Sequence, residues 1–390
     1  MIDQVKGTNS LYKERASKFL FVQSSFLNHF NMYGYKYLQT PILEHKELFN
    51  KSIGENSEIV TKQMYEFKDR SGRDIVLRPE GTSSVVRYHS EFQKDFTNQY
   101  IYFGQMYRYE NPQKNRYREF FQAGAEIVGK VDIFSDFQII NDSLNFLTSL
   151  DMTTNLRINT IGSIDDREKY IKVLLKFFND NKKHLSKDSK EKLNNNTLRI
   201  LDSNEDQDKE IISKAPKITD FVNKFSLAQF NDLKELFITN DIKFTVDEKI
   251  VRGLDYYNDL TFEILDKDNL VIGGGGRYDN LSKILKLGNF NGVGVAFGVE
   301  RLMNSVVLPK FNYNIYLLGT NVEKLALYSK ILDKYNIPYV KSSRLSKINN
   351  QFKEAKKQNV KYVVNTDEDT IKNLINNSVE KFSIEVLIEN

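Results

Sequence analysis

Apolar side chains recur at helical spacing between Leu11 and Tyr33, at Phe19, Leu20, Val22, Phe26, Leu27 and Phe30, and the run stops at Tyr33-Gly34-Tyr35. That pattern predicts a first amphipathic helix. Tyr35 to Leu43 then alternates as a strand, with Pro41 removing an amide and so favouring an edge, a bulge or a bend. Met64 to Arg78 predicts a hairpin around Asp69-Arg70-Ser71-Gly72. It delivers Arg78-Pro79-Glu80-Gly81-Thr82 to a helix that starts at Thr82 or Ser83 and continues through Val85, Val86 and His89. A second hairpin is predicted from Tyr100 to Glu110 and Arg118 to Val128, both aromatic-rich and alternating, around the polar turn Asn111 to Asn115. A helix at Asp136 to Leu150 and a strand at Leu156 to Thr160 follow.

From about residue 163 to 247 the chain turns rich in Lys, Asp and Asn, with helical apolar spacing at Tyr170 to Phe178 and Ile218 to Phe237. It reads as a mostly helical insertion in the main domain. Strand pattern returns at Leu260 to Leu265, at Val271-Ile272 leading into Gly273 to Gly276, and at Gly292 to Phe297 before a helix that opens at Gly298-Val299-Glu300-Arg301. Past Pro309 strands and helices alternate: strand Asn314 to Leu318, helix Val322 to Tyr335, strand Pro338 to Lys341, helix Leu345 to Lys357, strand Lys361 to Asn365 and a last strand Phe382 to Ile388. This alternation predicts a small α/β domain at the end of the sequence.

Composition narrows the chemistry. With 390 residues and 40% apolar content the chain can bury proper cores, and 56 basic against 52 acidic residues leave a net charge of +4, which allows a local basic patch and little more. There is no cysteine, which excludes disulfides and thiolate chemistry, and the histidines (His29, His45, His89 and His184) are not at metal-ligand spacing. The polar start MIDQVKGTNSLYKERASKF and the lack of an apolar run near the ~20 residues needed to span a bilayer predict a soluble, cytoplasmic protein without membrane attachment.

Three stretches concentrate candidate site residues. On the second hairpin, alternation predicts one face carrying Arg108 and Glu110 from the first strand, and Phe120, Gln122, Gly124 and Glu126 from the second. Gly124 is expected to leave room above the sheet, and Arg116 lies in the turn. An exposed hairpin decorated with salt bridges accounts for the same pattern equally well. Glu80 and Thr82 sit where a strand gives way to a helix, and Arg301 lies in a first helical turn, where free amides favour anions. The glycine run lacks the Gly-Lys-Ser/Thr ending of a phosphate-binding loop. Between Lys341 and Lys361, Lys341, Arg344, Lys347, Lys353, Lys356, Lys357 and Lys361 face a single acid, Glu354, which suits a phosphate backbone or a solvated helix face.

Taken together the chain resembles the histidyl-tRNA synthetases, within the class II aminoacyl-tRNA synthetases. The resemblance rests on TPILE at Thr40 to Glu44, RPEGT at Arg78 to Thr82, RYENPQKNRYREFFQAGAE at Arg108 to Glu126, VRGLDYY at Val251 to Tyr257, GGGRYD at Gly274 to Asp279 and GVGVAFGVERL at Gly292 to Leu302. It implies an α+β fold with an antiparallel catalytic sheet flanked by helices over residues 1–310, a helical insertion within it, a C-terminal anticodon-binding α/β domain over 311–390, and a homodimer through the Thr40 to Glu44 region. It also implies ligation of L-histidine to tRNA(His) through a histidyl-adenylate, with ATP as substrate and Mg²⁺ bridging phosphates with few or no protein ligands.

By the same resemblance Arg108 and Arg252 act on the carboxylate and α-phosphate. Glu110, Arg116, Phe120 and Arg301 complete the ATP site, with adenine on Phe120, and Glu80, Thr82, Gln122, Glu126, Tyr256 and Tyr257 hold histidine. Asn111, Asn115 and Phe121 depart from the common family pattern, beside the site or in its loop. A non-catalytic relative, the regulatory subunit of ATP phosphoribosyltransferase, is the second reading. Such proteins usually lose the RGLDYY and arginine signatures and lack the final domain, whereas this chain keeps Arg108, Arg252, Arg301, Glu126 and Tyr257.

Overall fold

The computed structural model describes residues 2–55, 57–93, 96–112, 116–193, 197–201, 203, 205–250, 254–308, 315–342, 345–358 and 360–388. The chain divides into two compact units, residues 1–307 and 308–390. In the larger unit the elements run α1 (Glu14–Met32), β1 (Lys36–Tyr37), β2 (Leu43–His45), α2 (Lys46–Ile53), β3 (Tyr65–Lys68), β4 (Asp74–Leu77), α3 (Thr82–Phe92), β5 (Asn98–Tyr107), β6 (Glu119–Gly129) and α4 (Ile133–Ser149). They continue as β7 (Thr154–Thr160), α5 (Ile164–Asp180), α6 (Lys187–Lys192), α7 (Asp206–Ser213), α8 (Lys224–Thr239), β8 (Phe244–Val246), β9 (Asn258–Asp266), β10 (Val271–Arg277), α9 (Leu281–Ile284), β11 (Asn291–Gly298) and α10 (Val299–Ser305).

Eight strands form one sheet in the order β1-β5-β6-β11-β10-β9-β7-β8, antiparallel inside and parallel only at its two outer pairs. Strand alternation divides its side chains between two cores. Ile101 and Phe103 of β5 and Ala123, Ala125 and Ile127 of β6 pack with α1, α4, α8 and α10 on one face. Tyr100, Tyr102, Met106 and Val128 face the other side, with α2, α3, α9 and part of the helical insertion. A small sheet, β2-β4-β3, supports α2 and α3. The expected strand from Tyr35 to Leu43 is split at Pro41 into β1 and β2. Each lies at a sheet edge, where a missing amide costs least.

The glycine run lies inside a strand rather than between strands. A side chain at Gly275 would fall 1.9 Å from the carbonyl oxygen of Gly294, so β10 and β11 can meet only because that position is bare. The insertion is shorter than its composition implies. Phe230, Leu233 and Phe237 of α8 belong to the first core, Phe237 meets Phe137 of α4 at 6.1 Å, and β8 extends the main sheet beside β7. The polar surface of that last stretch hides a stripe that packs on the main sheet, and the separate helical part ends near residue 222.

In the second unit β12 (Ile315–Leu318), α11 (Val322–Lys334), β13 (Tyr339–Lys341), α12 (Ile348–Lys357), β14 (Tyr362–Asn365), β15 (Thr370–Asn373), β16 (Val379–Lys381) and α13 (Glu385–Ile388) build a five-stranded sheet, β13-β12-β14-β15-β16. The expected strand Phe382 to Ile388 is absent, and a helical turn takes its end. The Phe382 ring packs tilted against Tyr328 at 4.8 Å, and Ile384, Val386 and Leu387 join the same small core, which a straight strand leaving the sheet would not allow. Thr370–Asn373 and Val379–Lys381 supply the extra strands, in a hairpin too short and polar to stand out by alternation.

Candidate active site

The hairpin of β5 and β6 forms the floor. Its register sets Tyr100 opposite Glu126, Tyr102 opposite Gly124, Gly104 opposite Gln122 and Met106 opposite Phe120, so the expected row Phe120, Gln122, Gly124 and Glu126 does share one face. Two details differ from the expectation. Strand β5 ends at Tyr107, so Arg108 and Glu110 are not held by alternation. Arg108 reaches the site because its Nε donates to the carbonyl of Pro79 at 2.9 Å, with its guanidinium 5.4 Å from the Phe120 ring centre. The space over Gly124 is also taken. An added methyl there would lie 2.1 Å from Cζ of Tyr102, and one at Gly81 would lie 2.4 Å from the same atom. The two glycines clamp the Tyr102 ring from opposite sides, and the tyrosine fills the room expected for a ligand.

The strand-to-helix junction brings Glu80 and Thr82 in. Glu80 is buried and its carboxylate accepts from the backbone N–H of Thr82 (2.7 Å) and Ser83 (3.0 Å), capping α3 from one residue before Gly81. The expected hydroxyl cap is therefore absent, and both hydroxyls are free for other work. Ser83 donates to Ser52 at 2.7 Å, and Thr82 Oγ1 donates to Glu126 Oε1 at 2.7 Å.

Glu126 is the centre of the pocket. It is 1% exposed, and its other oxygen accepts from the Tyr278 hydroxyl at 2.7 Å. Burial pushes its carboxyl up to about 8, with the charge of Glu80 adding to the rise and the Thr82 and Tyr278 hydrogen bonds opposing it. Tyr256 and Tyr257 are both buried, their rings 4.7 Å apart, and the Tyr256 hydroxyl lies 3.5 Å from Glu80 Oε2. Burial holds Tyr102, Tyr256 and Tyr278 well above the usual phenol range, so all three stay neutral. Arg277 is turned to the opposite face, where its Nε donates to Asp136 at 2.9 Å and its Nη1 to Asp279 at 3.4 Å.

Positive charge gathers beside this pocket. Burial lowers the Arg108 pKa, while Glu110, Glu80 and Tyr256 act against that, and the cation of Arg199 lowers it further. Arg199 comes from the turn Thr197–Ile200 of the insertion, whose Leu198 and Ile200 are buried in the cleft-side core. The two guanidinium groups are therefore close enough to act on one another. The buried Oε1 of Gln122 has no hydrogen-bond partner among the described residues, leaving an acceptor toward the cleft.

Other expected site residues are less directly engaged. Arg116 is exposed shortly before β6, and the Glu110 backbone carbonyl accepts from Arg118 Nε at 3.2 Å. Arg301 is half-buried, with its Nη1 donating to the carbonyl of Val271 at 2.5 Å. Arg252 lies outside the described residues. Among the described residues no group of three acidic or histidine side chains is arranged to hold a metal ion. Tyr102, Tyr278 and Arg199 were not singled out from the sequence. The tyrosine after the glycine run was a usable signal for Tyr278, whereas Tyr102 and Arg199 depend on register and on the fold of the insertion.

A sequence model of the family described as histidyl-tRNA synthetase matches residues 7–302. The histidine–tRNA ligase of Campylobacter hominis is 35% identical over 388 residues, covering 98% of this chain and 91% of its own length. Among solved structures, the apo histidyl-tRNA synthetase of S. aureus superposes with a TM-score of 0.76 at 27% identity, covering 100% of this chain and 99% of that one. A Bacillus halodurans protein described as an ATP phosphoribosyltransferase regulatory subunit/histidyl-tRNA synthetase has a TM-score of 0.66 at 18% identity, over 94% of this chain and 98% of its own, a likeness of fold alone. The motifs, the antiparallel sheet and these full-length matches agree, and the chain belongs to the histidyl-tRNA synthetase family.

Proposed function

We propose that this protein ligates L-histidine to tRNA(His) with ATP, through a histidyl-adenylate, releasing pyrophosphate and then AMP. The observation that carries the reading is the buried Glu126, held by Thr82 and Tyr278, within the same cleft wall as Arg108 over Phe120. A polar ring needs hydrogen-bonding groups for selection, since an apolar pocket discriminates poorly between similar substrates. Glu126 with Tyr257 would take the imidazole. Glu80, Thr82 and the free Oε1 of Gln122 would receive the α-ammonium group, with Tyr256 closing the pocket wall.

In adenylation a histidine carboxylate oxygen bonds to the α-phosphorus as the bond to pyrophosphate breaks. Negative charge grows on the phosphoryl oxygens, so arginines suit the task better than a covalent nucleophile. Arg108 and Arg252 would serve the α-phosphate and the carboxylate. Glu110, Arg116 and Arg301 would line the remainder of the ATP site, with adenine against Phe120. Mg²⁺ fits this donor set only when held mainly by substrate oxygens, and it would then offset phosphate charge. No base is needed, because the attacking carboxylate is already ionised.

The assignment extends to assembly and to RNA. Strand β1, at the edge of the large sheet with an exposed Tyr37, and the segment Thr40 to Glu44 would join two copies into a homodimer. The unit 308–390 would bind the anticodon, using the exposed Lys347, Lys353, Lys356 and Lys357 around α12. Arg344 of the same basic stretch lies outside the described residues. No helix among the described residues is long and apolar enough to cross a membrane, and a cytoplasmic location fits the proposed reaction. The test is histidine-dependent exchange of pyrophosphate into ATP by the purified protein. Exchange that is absent, or driven equally by another amino acid, would overturn the reading. Arg252→Ala should keep ATP binding and cut exchange by orders of magnitude.

A further inference from the structure

Strand β11 runs beside β6 only as far as the pair Gly298 and Gln122, after which the chain turns directly into α10. The next amide of β6, that of Phe121, is left without a strand partner on that side. Glu300 replaces the missing strand: both of its carboxylate oxygens accept from Phe121 N–H, at 3.0 and 3.2 Å. Phe121 itself points into the helical core, 4.7 Å from Phe19, while its neighbours Phe120 and Gln122 share the cleft face. On the other side of the bond, Glu300 is followed by Arg301, whose guanidinium is anchored on Val271.

The geometry points to Glu300 as a positioning residue for adenylation, fixing α10 and Arg301 at a set separation from Phe120, which rests on the proposed reading of these two as ATP contacts. Its carboxylate links the strand that would carry adenine, where the β11 ladder ends, to the helix that would meet the outer phosphates. Arg15 and Glu300 also line two small surface pockets of about 170 and 240 Å³, so this end of the junction is less tightly filled than the core in which Val299 and Leu302 of the same helix are packed. Burial pushes the Glu300 carboxyl up to about 7, with the Phe121 N–H and the cations of Arg15 and Arg301 opposing the rise. A neutral amide is therefore a close stand-in for its protonated form.

The experiment measures KM for ATP and for histidine separately in pyrophosphate exchange, for the full chain and for Glu300→Ala, Glu300→Gln and Glu300→Asp. Displacement by a fraction of an ångström in a phosphate site is expected to raise KM for ATP about 10- to 100-fold in Glu300→Ala. KM for histidine should rise far less, by no more than about fivefold, because of its proposed contacts only Gln122 adjoins Phe121, while Glu126 lies farther along β6 and Thr82 is held on α3. Glutamine keeps a carbonyl oxygen at the same reach and should restore KM for ATP to within about threefold, whereas aspartate keeps the charge, loses the reach and should behave like alanine. An equal rise for both substrates, an unchanged KM for ATP in Glu300→Ala, or an aspartate variant better than the glutamine variant would overturn the proposal. If the alanine variant does not fold, the glutamine and aspartate pair decides by the same order. Wild-type protein without histidine-dependent exchange would instead remove the functional reading itself.

Discussion

Glu126→Gln tests the electrostatics of the pocket in the folded protein before any substrate is added. In the unfolded chain this carboxyl ionises near its ordinary 4.5, whereas in the pocket burial holds it up to about 8. The folded state therefore keeps a proton that the unfolded state releases, and the stability this contributes is full below pH 4.5 and is lost as pH rises toward 8. The span from 4.5 to about 8 corresponds to at most about 5 kcal/mol. Glutamine cannot ionise, so the variant lacks this loss. The difference in unfolding free energy, variant minus wild type, should grow by several kcal/mol between pH 5 and pH 9 in urea denaturation, most steeply from pH 5 to 8. Asp136 and Glu300, each pushed up to about 7 by burial, slope the same way in both proteins and cancel in the difference. The variant should also lose most histidine-dependent exchange, because a pocket built for hydrogen bonding is left mispaired. A difference that stays flat within about 0.5 kcal/mol from pH 5 to 9 would refute the reasoning.

Three further outcomes can be checked. Gly124→Ala sets a methyl 2.1 Å from the Tyr102 ring and should destabilise the large unit by about 1–3 kcal/mol in thermal denaturation while disrupting the Thr82–Glu126 contact beside that ring. Arg78 is buried and donates to the carbonyls of Gln105 and Thr40 and to the Thr40 hydroxyl, so Arg78→Met, which orphans these acceptors, should cost about 3–5 kcal/mol and loosen the Thr40 to Glu44 segment in amide exchange. In the insertion, Asp208 accepts from Ser186 N and from the hydroxyls of Ser186, Ser189 and Ser203; these bonds outweigh burial and hold its carboxyl below the usual range, so Asp208→Asn should cost about 2–4 kcal/mol locally, read as faster proteolysis between α6 and α7.

The hairpin at the centre of the site was legible because strand alternation is a local rule. Phe120, Gln122 and Glu126 follow it, and no distant element decides their face. Arg108 was assigned to the same face for the wrong reason, since the strand stops one residue earlier and the carbonyl of Pro79 draws it in. Whether Gly124 leaves a hole or accommodates a ring depends on the register with β5 and on Gly81 above it, which are pairings between distant positions. The last strand failed for a related reason: Phe382 to Ile388 alternates well, but the sheet was already closed by β16, and its apolar residues were captured by α11. The C-terminal part of the insertion misled through composition, because α8 is polar outside and catalytic-domain core inside.

For the proposed histidine site, the glycine clamp bears on how a substrate would be selected. Tyr102 takes the volume that a small apolar substrate would need, and it does so with a neutral hydroxyl beside Thr82 and Glu126 rather than with a bare ring. The neighbouring Glu126 carboxyl is already paired with the Thr82 and Tyr278 hydroxyls. A ligand enters at no cost only if it replaces those bonds, and a side chain carrying hydrogen-bonding nitrogens can do so where an apolar isostere cannot. Discrimination then arises from the penalty on wrong substrates, through a carboxyl left desolvated and mispaired, more than from extra affinity for the right one. On this account Glu126 and Tyr102 act together: the tyrosine removes space and the carboxyl makes the remaining space costly to fill without hydrogen bonds.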